Sequence, residues 1–236
     1  MGLPSTKRVP SSFRDPSGFL YEVEGSLLRQ VNACYREDYE ALFSSGLYEE
    51  LRGAGLLVAH EEVGDDAMAS EDGWKVIRPE RLPFISYPYE WCFSQLKDAA
   101  LATLGIQRRA FARGMVLKDA SAYNIQFHGG HPVLIDPLSF ERYRTGEPWQ
   151  AYRQFCQHFL APLALMARKD ARCGLLSRLF IDGVPLNMAS RLLGWGSMLS
   201  PWLLTHIHLH ARMQKSHESD GRRGQGKSSG RKLGRL

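Results

Sequence analysis

Gly114-Met-Val-Leu-Lys-Asp119-Ala-Ser-Ala-Tyr-Asn124-Ile-Gln-Phe-His-Gly-Gly-His-Pro-Val-Leu-Ile-Asp136 is the stretch on which the reading of this chain turns. Ile125-Gln-Phe127 and Val133-Leu-Ile135 read as two short strands. Between them, His128-Gly-Gly-His131 supplies the glycines that a tight hairpin turn requires. Pairing the strands brings Asn124 and Asp136 almost opposite each other at the open end of the hairpin. Two oxygen donors converging there suit Mg²⁺, a hard cation that takes a few protein oxygens and completes its shell with water and phosphate. Asp119, one loop upstream, is then placed to accept the proton of an attacking hydroxyl. A purely structural reading stands beside this one. Asp and Asn are ordinary loop residues, and Asp136-Pro137 can simply end a strand and open a turn.

Working outward from the hairpin, residues 1–17 read as a flexible lead-in. Gly18 to Val31 alternates around Gly25 with Phe19, Tyr21 and Val23 on one face, which predicts a second hairpin. Tyr35 to Gly53 carries Tyr39, Leu42, Phe43, Leu47 and Leu51 at helical spacing, with Gly46 as a break. Leu56-Leu-Val58 and Trp74-Lys-Val-Ile77 are further short strands, separated by an acidic loop around Asp65, Asp66, Glu71 and Asp72. Pro83 to Trp91 is extended and aromatic, since Pro88 forbids a helix there. Ser94 is the expected cap of a long amphipathic helix that runs to Gly114. Beyond Trp149 the chain reads as helical, from Ala151 to about Ala171 and from about Leu186 to Met213.

The composition assigns the charge to one place. The chain has 30 basic and 25 acidic residues in 236. Seven of the basic and two of the acidic ones lie from Gln214 onward, which leaves 23 of each sign before it. The net charge of +5 therefore belongs to the tail, residues 214–236, which reads as a disordered basic linker with too little apolar surface to fold. That charge carries no sequence-specific signal for nucleic acid. Cys34, Cys92, Cys156 and Cys173 are far apart and contain no C-x-x-C pair, so free thiols are expected rather than a disulfide framework or zinc site. Met1 to Pro16 is polar and Pro-rich, unlike a signal peptide, and the longest apolar run, Phe159 to Ala167, is too short to span a bilayer. A cytoplasmic protein without a membrane segment is expected.

Two family resemblances follow from these residues. The run 114–140 resembles the catalytic loop of the kinase-like phosphotransferases, which include protein kinases and the aminoglycoside-type small-molecule kinases. The resemblance implies an α+β, protein-kinase-like bilobal fold: a strand-rich N-lobe at about 18–86 and a helical C-lobe at about 92–213. It also implies Asp119 as catalytic base, Asn124 and Asp136 as Mg²⁺ ligands, and ATP as the phosphate source. The chain departs from the family pattern where Leu117-Lys118 precedes the loop Asp and where Pro137-Leu138 follows the metal Asp. No G-x-G-x-x-G loop is present, and no lysine stands at the usual phosphate-binding place. Arg29, on the second strand, is the candidate for that role, although a guanidinium is not a simple substitute for an ammonium. Tyr87 and Tyr89 are candidates to stack on the adenine, with core packing as the alternative.

The second resemblance is longer. Ile85-Ser-Tyr-Pro-Tyr-Glu-Trp91, Leu117-Lys-Asp-Ala-Ser-Ala-Tyr-Asn-Ile-Gln-Phe127 and Ala151-Tyr-Arg-Gln-Phe-Cys-Gln-His-Phe-Leu-Ala-Pro-Leu-Ala-Leu165 are similar to the N-terminal region of bacterial proteins labelled SAM-dependent methyltransferases. The likeness spans about residues 13–213. It implies a separate methyltransferase domain or chain as partner, and S-adenosylmethionine as cofactor only where that domain is present. No strand followed by a Gly-rich turn in this chain would hold that cofactor. Two functions therefore compete. One is a Mg²⁺-dependent phosphotransferase acting on a hydroxyl of a small molecule or glycan. The other is a non-catalytic module that presents substrate to a methyltransferase domain. His206, His208 and His210 are spaced as metal ligands could be, but a polar helix face explains them better.

Deleting residues 215–236 is expected to leave the melting temperature nearly unchanged. In a calorimetric scan, a loss of several degrees would correspond to more than about 1 kcal/mol and would show that the tail packs on the domain.

Overall fold

The computed structural model describes residues 7–9, 15–64 and 67–212. Most of the expected lead-in, Asp65, Asp66 and the basic tail lie outside those residues. The chain divides into two compact units, one formed by residues 1–87 with 97–152, the other by 88–96 with 153–236. Its class is mixed, with antiparallel sheets and helices.

The first unit is built on a five-stranded antiparallel sheet. Strands β1 (Lys7–Arg8), β2 (Gly18–Val23), β3 (Ser26–Asn32), β4 (His60–Val63) and β5 (Gly73–Pro79) lie in the order β1-β2-β3-β5-β4. Register explains the two faces. Tyr21 pairs with Leu28, Phe19 with Gln30, Gln30 with Val76 and Arg29 with Ile77. Because side chains alternate along a strand, Phe19, Tyr21, Leu28 and Val76 form one apolar cluster. Val31 and Ile77 meet Tyr35, Tyr39 and Leu138 in another. Arg29 shares the register face of Val31 and Ile77, and it is buried. Gly18 faces Val31 across the hairpin, where a Cβ would come within 2.0 Å of the Gln30 carbonyl oxygen. Only glycine permits that approach.

Two expectations for this half are met and two are adjusted. Helices α1 (Arg36–Ser44) and α2 (Leu47–Gly53) split at Gly46, whose φ of 75° is left-handed. The hairpin β7 (Ile125–His128) and β8 (His131–Leu134) turns through Gly129 and Gly130 at φ of 58° and 83°, the two-residue connection that positive φ favours. The strand expected at Leu56–Val58 is instead a single parallel bridge, Leu57 to Leu134, flanked by main-chain bonds between Val58 N and Leu134 O and between Leu134 N and Leu56 O. The ordinary strand starts later, at His60. Helix α3 (Phe93–Ala112) begins one residue before Ser94, and the Gln95 side chain accepts from Cys92 N in place of a serine cap. Strand β6 (Met115–Leu117) follows the left-handed Gly114 and pairs with β9 (Phe140–Arg142).

In the second unit, α4 (Tyr152–Phe155) and α5 (Ala161–Arg168) are joined by a π-helical turn at Cys156–Leu160. Pro162 is the physical cause. It has no N–H to give the carbonyl of His158, and its ring would clash there, so the ladder widens instead. Helices α6 (Leu176–Leu179), α7 (Leu186–Leu193) and α8 (Pro201–Leu203) complete the unit, with a second π-helical turn over Leu204–Leu209. The buried His208 lies 2.7 Å from Ser190 Oγ and 2.8 Å from Ser197 Oγ. Ser197 gives its proton to Gly194 O, so it accepts from the imidazole. The histidine run thus contributes a structural tie, and among the described residues no group of three or more His, Cys, Asp or Glu could hold a metal.

His60 tests the packing of the sheet against α1 and α2. It sits among Tyr39, Phe43 and Tyr48, with its Nε2 3.0 Å from the Tyr39 hydroxyl. Burial is the largest influence on it and lowers its pKa to about 4. A pKa below the unfolded value near 6.5 means that the neutral ring stabilises the fold above that pH. The contribution is then lost as pH falls toward 4. In urea titrations from pH 7 to pH 4, the stability advantage of the parent over His60→Gln is expected to shrink, with a slope approaching about 1.4 kcal/mol per pH unit.

Candidate functional site

The site is assembled where β3, the loop after β6 and the β7–β8 hairpin meet inside the first unit. Leu138 is the anchor. It is fully buried in the cluster of Val31, Tyr35, Tyr39 and Ile77, and it belongs to a 3₁₀ turn at Pro137–Ser139. Inserting Leu138 into that cluster delivers Asp136, two residues earlier, to Arg29 on the same sheet face. Asp136 Oδ1 accepts from Leu138 N at 2.8 Å and lies 2.9 Å from Arg29 Nη2. The side chains are 8% and 16% exposed for Arg29 and Asp136, so the pair is largely desolvated. Asp136 therefore both caps the turn, as the structural reading held, and carries a charge aimed at the site.

The other two residues are held by the same small framework. Asp119 Oδ1 accepts from Ser121 N at 2.9 Å, and Ser121 Oγ accepts from Tyr123 N at 3.2 Å, so the loop is a chain of side-chain-capped turns. Asn124 is placed by the hairpin register: Ile135 N donates to Asn124 O at 2.9 Å, one residue before Asp136. Its Nδ2 donates to Ser139 Oγ at 3.2 Å. That orientation turns the amide oxygen, the atom a hard cation uses, away from the serine. Ser139 O also accepts from Lys118 N at 2.8 Å, so one residue braces both sides of the loop. Trp149 Nε1 donates to Leu117 O at 2.7 Å and Gln107 Oε1 accepts from Leu117 N at 2.8 Å, fixing the strand that leads in.

Asp119, Asn124 and Asp136 are thus gathered by adjoining segments of one unit. In donor chemistry, an amide oxygen from Asn124 and a carboxylate from Asp136 are of the kind a hard divalent cation takes, and one oxygen of that carboxylate is already engaged. Arg29, the expected phosphate partner, rests on that carboxylate. Tyr87 faces Tyr123 with ring centroids 6.5 Å apart, and it is 45% exposed. Tyr89 belongs to the second unit, where the Arg178 guanidinium lies 5.9 Å from its ring.

Four residues that the sequence did not single out as partners of this site also surround it. Ser139 is one. Lys118, visible only as a departure from the family pattern, places its Nζ 4.4 Å from the Tyr35 ring centroid and bonded to Ser17 Oγ. Asp15 Oδ2 is 3.4 Å from Arg29 Nη2, and its Oδ1 is 3.9 Å from Lys118 Nζ. Tyr35 itself is buried and donates to Phe140 O at 2.6 Å. Burial foremost, and then the charges of Asp136 and Asp38, push its phenol well above the ordinary range. The period-2 alternation of β3 was the one available signal for Arg29; nothing local in sequence announces Asp15.

Comparison with known proteins finds a relative of the chain by sequence. The chain is homologous to nodulation protein NoeA of Rhizobium meliloti (strain 1021), at 34% identity over 232 residues that cover 98% of this chain. The chain spans about half the length of that relative, 48%. No family model matches. Among solved structures, the Drosophila melanogaster PAN3 pseudokinase superposes with a TM-score of 0.34 at 10% identity, over 96% of this chain and 71% of the other. That likeness is too loose to fix the fold.

The buried pair is open to a direct test. Arg29→Met is expected to destabilise the protein by about 3 kcal/mol, because it strands the Asp136 charge. Adding Asp136→Asn is expected to recover part of that loss. Strict additivity of the two changes in denaturant titrations would mean that the residues are not coupled.

Proposed function

We propose that the first unit binds a nucleotide with Mg²⁺ and transfers a phosphoryl group to a hydroxyl of a small molecule or glycan. In this reading Asp119 is the general base, Asn124 and Asp136 hold the metal, and Arg29 offsets phosphate charge. Tyr87 contributes an aromatic surface for the base of ATP. The observation that carries the proposal is the convergence of Asp119, Asn124 and Asp136 on one framework braced by Ser139. A protein-kinase-like bilobal fold is part of the same proposal. So is a cytoplasmic setting, which suits the four free cysteines; no helix among the described residues is long and apolar enough to cross a membrane.

A second reading is favoured by different observations. The chain matches only about half of NoeA, 48% of its length. The second unit leaves Trp195, Leu199 and Trp202 exposed at 83%, 89% and 74%. Large apolar side chains in that state suit a surface that another domain covers. On this reading the chain presents substrate to a methyltransferase domain, and S-adenosylmethionine belongs to that domain.

Calorimetric titration of ATP with and without Mg²⁺ separates the two. Magnesium-dependent binding is expected. Asp136→Asn is expected to weaken it, since a charged oxygen is removed from a hard cation. Asp119→Asn is expected to leave binding nearly intact while lowering turnover by about 100-fold, because the base acts on the acceptor and not on the nucleotide. No magnesium-dependent binding at millimolar ATP would sink the phosphotransfer reading and leave the presenting module.

A further inference from the structure

The segment Asp15–Ser17 lies across the approach to Arg29 and Lys118, and its attachments are unequal. Its main chain is fixed firmly to the end of β3: Asn32 N donates to Ser17 O at 2.8 Å, and Asn32 Nδ2 donates to Pro16 O at 2.9 Å. The acidic head meets the cations only at long distances. Asp15 Oδ2 meets Arg29 Nη2 at 3.4 Å, on the nitrogen already committed to Asp136 at 2.9 Å. Asp15 Oδ1 meets Lys118 Nζ at 3.9 Å and accepts from Ser17 N at 2.9 Å. Charge-assisted hydrogen bonds ordinarily close to about 2.7–2.9 Å. Both contacts of this carboxylate to the cations are longer than that, so neither cation is well satisfied by it.

Arg29 gives the second observation. It is 6% exposed, and its Nε is buried without a hydrogen-bond partner among the described residues. A buried N–H of a charged group left unmet is costly and rare. A guanidinium carries its N–H groups in a fixed fork that matches a phosphate through two parallel bonds. Lys118 adds a second positive charge that pivots on a flexible stem. Asp15 and Lys118 are 29% and 25% exposed, so the place between the cations communicates with solvent.

We propose that Arg29 and Lys118 form a subsite for a phosphate group and that Asp15 is its built-in occupant, displaced when a phosphate-bearing ligand arrives. The proposal rests on the phosphotransfer reading of the neighbouring loop and deepens it by naming which cations take the phosphate and what keeps them covered. The exchange is electrostatically sensible. One carboxylate with a single charge, held at long distances, gives way to a group with more charge and three acceptor oxygens. Displacement turns the Asp15 side chain and breaks its bond from Ser17 N, while Asn32 holds the main chain of the segment independently. With Asp15 turned out, Arg29 keeps its ion pair with Asp136 and Lys118 its bond to Ser17 Oγ, so positive charge is in excess there and favours an anion.

The test uses the full chain and two probes by calorimetry: pyrophosphate without metal, and ATP with Mg²⁺. Asp15→Asn keeps an acceptor for Ser17 N but removes the competing charge. It is expected to bind pyrophosphate about tenfold more tightly than the parent, with Lys118→Met in the same background cancelling the gain. Asp15→Ser serves as a second variant with the same expectation. If both variants bind pyrophosphate no better than the parent, the subsite is overturned. It is equally overturned if both unfold at markedly lower temperature, since Asp15 would then be a structural ion-pair partner. The two readings fail separately. Tighter pyrophosphate binding without any Mg–ATP binding keeps the subsite and removes phosphotransfer. Mg–ATP binding that is indifferent to Asp15 does the reverse. Absence of binding by either probe in every variant overturns both.

Discussion

The ion pair between Arg29 and Asp136 is the contact around which the first unit is organised. A guanidinium on a central strand, facing inward among Val31, Ile77 and Tyr35, is tolerable only with a charge opposite it. That charge comes from a segment more than 100 residues away in sequence, carried in on the 3₁₀ turn that buries Leu138. The pair therefore ties the sheet to the hairpin loop. It also sets the electrostatics of the candidate site, since the carboxylate proposed to meet a metal is already half-neutralised by a fixed cation. Any divalent ion there shares Asp136 with Arg29.

The surrounding framework makes the loop rigid by local means. Asp119, Ser121 and Asp136 each use a side-chain oxygen to accept a backbone N–H two residues on, and Ser139 joins Lys118 to Asn124. These bonds hold the loop by local caps, and the structural role of Asp119 and Asp136 is compatible with the chemistry proposed for them. A capped turn holds an oxygen still, and a stationary oxygen is what a cation or a transferring proton requires. The homology to NoeA extends over nearly the whole chain but over only about half of that relative.

Much of the fold was legible because local rules governed it. Gly129 and Gly130 announced the hairpin turn, Gly46 the break between α1 and α2, and alternation the strands β2, β3 and β5. The failures were local in another sense. Leu56–Val58 has the composition of a strand but meets only one bridge partner, and Ser94 has the chemistry of a cap but sits inside the helix that Gln95 helps to start. Propensity describes what a residue tolerates; the partner available in space decides what it does.

The sequence by itself determined the identity and spacing of Asp119, Asn124 and Asp136, because a hairpin of fixed length converts spacing into proximity. It also marked Arg29 as the available cation on the second strand. Only the tertiary structure decided that Arg29 would rest on Asp136, that Lys118 would point at Ser17, and that Asp15 would lie between the two cations. Each of those contacts joins segments whose separation in sequence carries no pattern. They follow from which strand face is buried and which side chain fills the core beside it, and a buried charge then takes the nearest opposite charge that the packing brings within reach.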